Sequence, residues 1–188
     1  LINAKANGLM RKQSLCLHLI FSASLVFMIN VIVREGRTED LPSVLSLIKE
    51  LAEYEKAPLE VEVTVEEMEK EGFAENPLFR FFVAVNEDNI IGIALYYFKY
   101  STWKGRCIFL EDIIVTQNQR GKGIGAKLFE KVIETAREMK VRRLEWQVLE
   151  WNKPAINFYK KYNADLDAEW LNGKLVYEQL QQFKGKMI

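Results

Sequence analysis

The chain has 188 residues, 49% hydrophobic and 28% charged, enough for one soluble domain with a core of its own. Its 26 basic and 26 acidic side chains cancel, so no bulk charge draws it to nucleic acid or to a membrane surface. Two cysteines (Cys16, Cys107) and one histidine (His18) cannot make a disulfide framework or a zinc site, and they point to a reducing compartment and chemistry without a histidine base.

The N-terminal stretch "MRKQSLCLHLIFSASLVFMINVIV" sets a basic start before an apolar run from Leu15 to Val33. It reads as a signal segment with Ser22-Ala23-Ser24 at the cleavage site, as a membrane anchor, or as an upstream extension with translation starting at Met28. We take the third reading, because the chain starts with Leu1 and "MINVIVRE" runs straight from a start into a strand. Residues 1–27 are therefore expected outside the fold, and 28–188 as a single cytoplasmic domain.

Val31 to Val33 is the first strand. "TEDLPSVLSLIKELAEYEK" follows as a helix with Thr38 as its cap and Leu41, Val44, Leu45, Ile48 and Leu51 on one face. "TVEEMEKEG" is a short helix, with Thr64 and Glu67 in a capping-box pattern. "FRFFVAV" and "NIIGIALYYFKY" are strands joined at "NEDN", and "RCIFLEDIIV" is a third. Lys122 to Met139 is a helix with an apolar stripe through Leu128, Val132, Ile133, Ala136 and Met139. "RRLEWQVLE" reads as a strand and "NKPAINFYKKY" as a helix capped by Asn152. The tail is expected to hold a strand through Trp170 and then a frayed helix. The pattern is α+β with a mixed sheet.

Between the strand ending at Val115 and the helix from Lys122 lies "RGKGIG", Arg120 to Gly125. A strand, a glycine-rich turn and a helix make a phosphate site, because unpaired N–H groups and the helix dipole face an anion there. The spacing separates the candidates. A P-loop needs Ser or Thr after the Lys, and Lys122 is followed by Gly123; a dinucleotide fingerprint needs G-x-G-x-x-G. Arg120, Gly123 and Gly125 instead give R-x-x-G-x-G, which resembles motif A of the GNAT acetyltransferase superfamily. From Arg120 to Arg143 there are eight Lys or Arg against three Glu, a balance suited to an anionic cofactor.

The similarity extends further. "SLIKELAEYEK", "GFAENPLF", "GIALYYFKYSTWKGR", "FLEDIIV", "RGKGIG" and "EWNKPAINFYKK" together resemble the diamine (spermidine/spermine) and thialysine N-acetyltransferase branch, over about Ile32 to Trp170. The resemblance implies the GNAT fold: a twisted, mostly antiparallel sheet of six or seven strands flanked by helices, two of them splayed for the pantetheine arm. It also implies acetyl-coenzyme A as cosubstrate, no metal, and a homodimer.

The same resemblance implies the site residues. Glu111 in "LED" matches the active-site glutamate that takes the amine proton, and Tyr159 in "NFYKK" matches the tyrosine that protonates the departing thiolate. By strand alternation Asp112 faces away from Glu111. Coenzyme contacts fall on Ile113, Ile114, Val115, Arg120, Gly121, Lys122, Gly123, Ile124, Gly125, Ala126, Asn152 and Ala155. Amine contacts fall on Tyr54 and Glu55, and more weakly on Trp103, Glu145, Trp146, Gln147 and Glu169. Glu50 to Glu75 holds ten Glu and two Lys, an acidic approach for a cation. "KAPLE" replaces carboxylates that the polyamine enzymes carry, which favours a shorter diamine or an amino acid with a side-chain amine. The competing readings are a GNAT acting on a protein amine or an antibiotic, and a silent acyl-coenzyme A sensor. Cys107, with no histidine partner, reads as a packing residue.

Overall fold

The structure, a computed structural model, describes residues 30–185. The expectation for 1–27, with Cys16 and His18, falls outside the described residues. The chain divides into two units, Leu1–Trp146 and Gln147–Ile188.

The first unit is built on a sheet in the order β1-β2-β3-β4-β5. β1 (Val31–Glu35), β2 (Arg80–Asn86), β3 (Asn89–Ser101) and β4 (Gly105–Val115) pair antiparallel in sequence, and β5 (Leu144–Glu145) joins β4 in parallel. Strand alternation assigns the two faces. Phe81, Val83, Ile93, Leu95 and Ile114 point to one face. There they meet Leu41, Val44, Leu45 and Leu47 of α1 (Leu41–Tyr54) and Met68 of α2 (Val65–Gly72). Gly92 points to the other face, where an added Cβ would stand 3.1 Å from Leu128 of α3 (Ile124–Glu138). The missing side chain lets α3 lie close on the sheet. Phe129 of α3 is fully buried there and takes the edge of Trp146 at 5.3 Å.

The capping box of α2 forms as the sequence predicts: Glu67 N–H donates to Thr64 Oγ1 at 3.2 Å, and Thr64 N–H to Glu67 Oε2 at 2.9 Å. Thr38 does not cap α1. It opens a 3-10 turn, Thr38–Asp40, and Asp40 precedes the helix. Asp40 is the buried charge among the described residues of this unit, held by Arg34 Nη1 at 2.6 Å and Nη2 at 2.9 Å. That pairing keeps its carboxyl below the usual carboxylate range.

The strand count corrects the expectation of six or seven: among the described residues there are five. "RRLEWQVLE" alternates like a long strand, yet only Ile108↔Leu144 and Phe109↔Glu145 form the ladder. In the second unit, the expected strand through Trp170 is absent and that segment is irregular. Alternation marks a segment as able to be extended; it becomes a strand only where a neighbouring edge supplies hydrogen bonds. The second unit contains α4 (Lys153–Lys160) and the short α5 (Tyr177–Gln181).

Candidate active site

β4 carries the irregularity on which the site is built. Leu110 pairs with Tyr96 and Asp112 with Leu95, so Glu111 has no partner on β3. It is the extra residue of a β-bulge, a device that re-aims side chains. Simple alternation would send Asp112 to the face opposite Glu111. The bulge puts Asp112 in register with Leu95, on the face covered by α1, and this corrects the expectation for the pair. Burial first, then the charges of Glu111 and Glu55, push the Asp112 carboxyl up to about 6. Glu55 stands just past the end of α1. It is exposed overall, but partial burial of its carboxyl raises that group as well. The hydroxyl of Tyr97, across from Phe109, is also raised, by burial, by the Glu111 charge and by its hydrogen bond to Glu111. Three carboxylates and a phenol therefore lie near one another around the bulge of β4. Sequence reasoning named Glu55 and Glu111 and missed Asp112 and Tyr97; the "ED" doublet in a strand was the available signal.

β4 then runs into the glycine turn. Gly121 and Gly123 take φ of +77° and +79°, a left-handed conformation that costs other residues about 1–2 kcal/mol. A Cβ at either position would meet nothing within 4 Å, so the glycines answer to backbone shape and the space beside them is open. Gly123 is the N-cap of α3 and no side chain caps the helix. The first N–H groups of α3, from Ile124, Gly125 and Ala126, are thus unclaimed by a cap. Ladder pairing of β4 with β5 ends at Phe109. From Leu110 through Ile113, Ile114 and Val115 that edge has no strand partner among the described residues. An anion at the turn and an extended polar arm along the open edge fit what the main chain offers.

Glu50 of α1 fastens this turn. It accepts from Thr116 Oγ1 at 2.9 Å and from Gln117 N–H at 2.8 Å, and pairs with Arg120 Nη2 at 3.7 Å. Arg120 also donates through Nε to Val115 O at 2.8 Å and lies 4.9 Å from the Tyr54 ring centroid. Arg120 and Tyr54, assigned from sequence to coenzyme and amine, thus touch each other. Lys122 Nζ donates to Gln119 Oε1 at 2.7 Å within the turn.

The remaining amine-site residues separate. Glu145 is paired with Lys99 and Arg143. Trp146 packs on Phe129 at the opposite face of the sheet. Trp103 is 78% exposed in the β3–β4 turn, two residues past the end of β3 at Ser101. In the second unit, Gln147 Nε2 donates to Asn172 Oδ1 at 2.6 Å, and Glu169 is exposed with its N–H on Asp167. Asn152 caps α4 by accepting from Ala155 N–H at 3.2 Å. Tyr159 is buried on α4, its ring 5.2 Å from Phe158. Cys107 is fully buried, in keeping with a packing role.

No group of three or more metal-binding side chains gathers among the described residues. No helix among them is long and apolar enough to cross a membrane.

A family model described as Acetyltransferase (GNAT) family matches residues 44–164. The chain is 40% identical over 170 residues to a thialysine N-epsilon-acetyltransferase of Sus scrofa, covering 85% of this chain and 100% of that one. It is 36% identical over 145 residues to a spermidine/spermine N(1)-acetyltransferase-like protein 1 of Homo sapiens, covering 73% of this chain and 21% of that one. Among solved structures, an integron cassette protein from the mobile metagenome of V. cholerae superposes with a TM-score of 0.66 at 22% identity, over 80% of this chain and 95% of that one.

Proposed function

The chain belongs to the GNAT acetyltransferase family, and from that premise we propose that it moves the acetyl group of acetyl-coenzyme A to the primary amine of a small diamine, polyamine or thialysine-like amino acid. The observation that carries this reading is the convergence of Glu55, Glu111 and Asp112 on the strand that feeds the open glycine turn.

The coenzyme, when bound, supplies an activated thioester. The main chain from Gly121 to Ala126 would hold its pyrophosphate, and the unpaired edge at Ile113 to Val115 would hold its arm. The protein's own task is to bind a cationic amine and remove its proton. Three carboxylates attract the ammonium. Glu111 is assigned the proton, and Asp112, with a pKa of about 6, lies beside it as a base matched to neutral pH. Tyr159 is assigned the acid for the departing thiolate on its motif match alone. A phenol near pKa 10 is suited to that task. We further read the chain as a cytoplasmic homodimer, which light scattering of the purified protein checks for its dimeric part.

The test is release of free thiol from acetyl-coenzyme A with spermidine, putrescine, thialysine, lysine peptides and aminoglycosides in turn. Turnover with a small amine supports the reading. Coenzyme binding without turnover on the whole panel overturns it and favours a sensor. Tyr159→Phe should lower kcat by about 10²-fold or more with coenzyme affinity retained; near-normal kcat would remove the tyrosine from the mechanism.

A further inference from the structure

No atom stands within 4 Å of a Cβ built at Gly121 or Gly123, and no side chain caps α3. Glycine loses more freedom on ordering than any other residue, so a turn made of it keeps one shape only if its ends are fixed. One end is α3. The other is Thr116 to Arg120, which forms a 3-10 turn over Gln117–Gln119 with no side-chain cap of its own.

Glu50 supplies that cap from α1, 67 positions from Gln117 in sequence. Its Oε1 accepts from Gln117 N–H at 2.8 Å, the first N–H of the 3-10 turn, and its Oε2 accepts from Thr116 Oγ1 at 2.9 Å. The same Oε1 stands 3.7 Å from Arg120 Nη2. One carboxylate therefore pins both ends of the segment that leads into Gly121.

Arg120 is committed to this arrangement. Its Nε donates to Val115 O at 2.8 Å, Nη2 faces Glu50, and the guanidinium carbon lies 4.9 Å from the Tyr54 ring centroid. The two side chains are 37% and 30% exposed, and an ion pair that open to water contributes little to stability by itself. Its value is local. A bare carboxylate beside a turn that receives an anion would oppose binding, and Arg120 cancels that charge.

We propose that Glu50 and Arg120 form a brace that sets the coenzyme turn, with Glu50 as a positioning residue and Arg120 acting on the coenzyme through the main chain rather than as a phosphate ligand. This rests on the acetyl-coenzyme A reading above and deepens it. The brace orders the glycines before the ligand arrives, so that binding does not have to.

Calorimetry of coenzyme A with wild type, Glu50→Ala, Arg120→Met and the double variant tests the brace. Each single change should weaken binding by about tenfold, the worth of a charge-assisted hydrogen bond. Arg120→Met made on top of Glu50→Ala should cost less than about threefold more, because groups that act as one unit are not additive. The KM for acetyl-coenzyme A should rise in step, with kcat at saturation within about threefold of wild type. A further loss of about tenfold in the double variant overturns the proposal, since Arg120 would then grip the anion independently. Unchanged coenzyme affinity in Glu50→Ala also overturns it and leaves the carboxylate a role in the fold alone. So does a fall in kcat with KM unchanged, which would assign Glu50 to the amine end. If Glu50→Ala fails to fold, Glu50→Gln, which keeps the size and loses the charge, takes its place in the cycle. All of these failures leave coenzyme binding by wild type intact. Absence of that binding overturns the acetyl-coenzyme A reading, and the brace with it.

Discussion

At the Gly121–Ala126 turn the groups offered to a ligand are main-chain N–H groups, shaped by two left-handed glycines and an uncapped helix start. At the Glu111 bulge they are side chains, brought in from the end of α1, from β3 and from two successive residues of β4. The turn is one continuous stretch of chain, and what it offers is backbone shape. The bulge is a meeting of distant segments, and what it offers is charge. Glu50 links the two, since the helix that presents Tyr54 and Glu55 also holds Thr116, Gln117 and Arg120. A residue at one end should therefore fail differently from a residue at the other.

The largest effect is expected at the charged end. Glu111→Gln keeps the size of the side chain and removes the carboxylate proposed as the base. Its kcat should fall by about 10²–10⁴-fold while acetyl-coenzyme A binds as in wild type, measured by calorimetry. Loss of coenzyme binding together with kcat would break the division between the two ends.

Next in size is a pH effect. Asp112 has its carboxyl raised from 3.8 to about 6 by burial and by two neighbouring charges. The folded state thus holds this proton more tightly than the unfolded chain. The resulting stabilisation is complete below about pH 4 and is lost as pH rises through 6. Asp112→Asn removes the dependence. The unfolding free energy of the variant minus that of wild type should therefore grow by up to about 3 kcal/mol between pH 4 and 7. Urea melts across that range check it, and a flat difference would mean that Asp112 is neither desolvated nor crowded by its neighbours.

The smallest effect belongs to the turn. Gly123→Ala meets no clash, because the space is open, and suffers only the left-handed φ, about 1–2 kcal/mol. The KM for acetyl-coenzyme A should rise several-fold, with a modest loss of thermal stability and little change in kcat at saturation. A variant with normal KM and depressed kcat would place the turn in the chemistry instead.

The turn was legible from the sequence and the bulge only half so. Gly121 and Gly123 between a strand and a helix state their purpose locally, because φ near +80° is a demand on the residue itself. Glu111 was found by motif, but its relation to Asp112 was misjudged, because alternation counts residues along one strand and a bulge is a property of two. Glu145 was read as an acidic contact for the amine. The fold gives it Lys99 from β3 and Arg143 from the approach to β5, partners 46 and two residues away.

The amino-acid order alone determined the helices with apolar stripes, the three long strands of the hairpin region, the capping box at Thr64 and the glycine-shaped form of the turn. Each depends on neighbours within a turn of helix or a few strand residues, where steric and hydrogen-bonding preferences act directly. Strand register, the short reach of β5, the missing strand before Trp170 and the gathering of Glu55, Asp112 and Tyr97 were decided by tertiary structure. Those depend on which edge supplies hydrogen bonds and on where an extra residue shifts a ladder, and a one-residue shift there carries a side chain from one face of the sheet to the other.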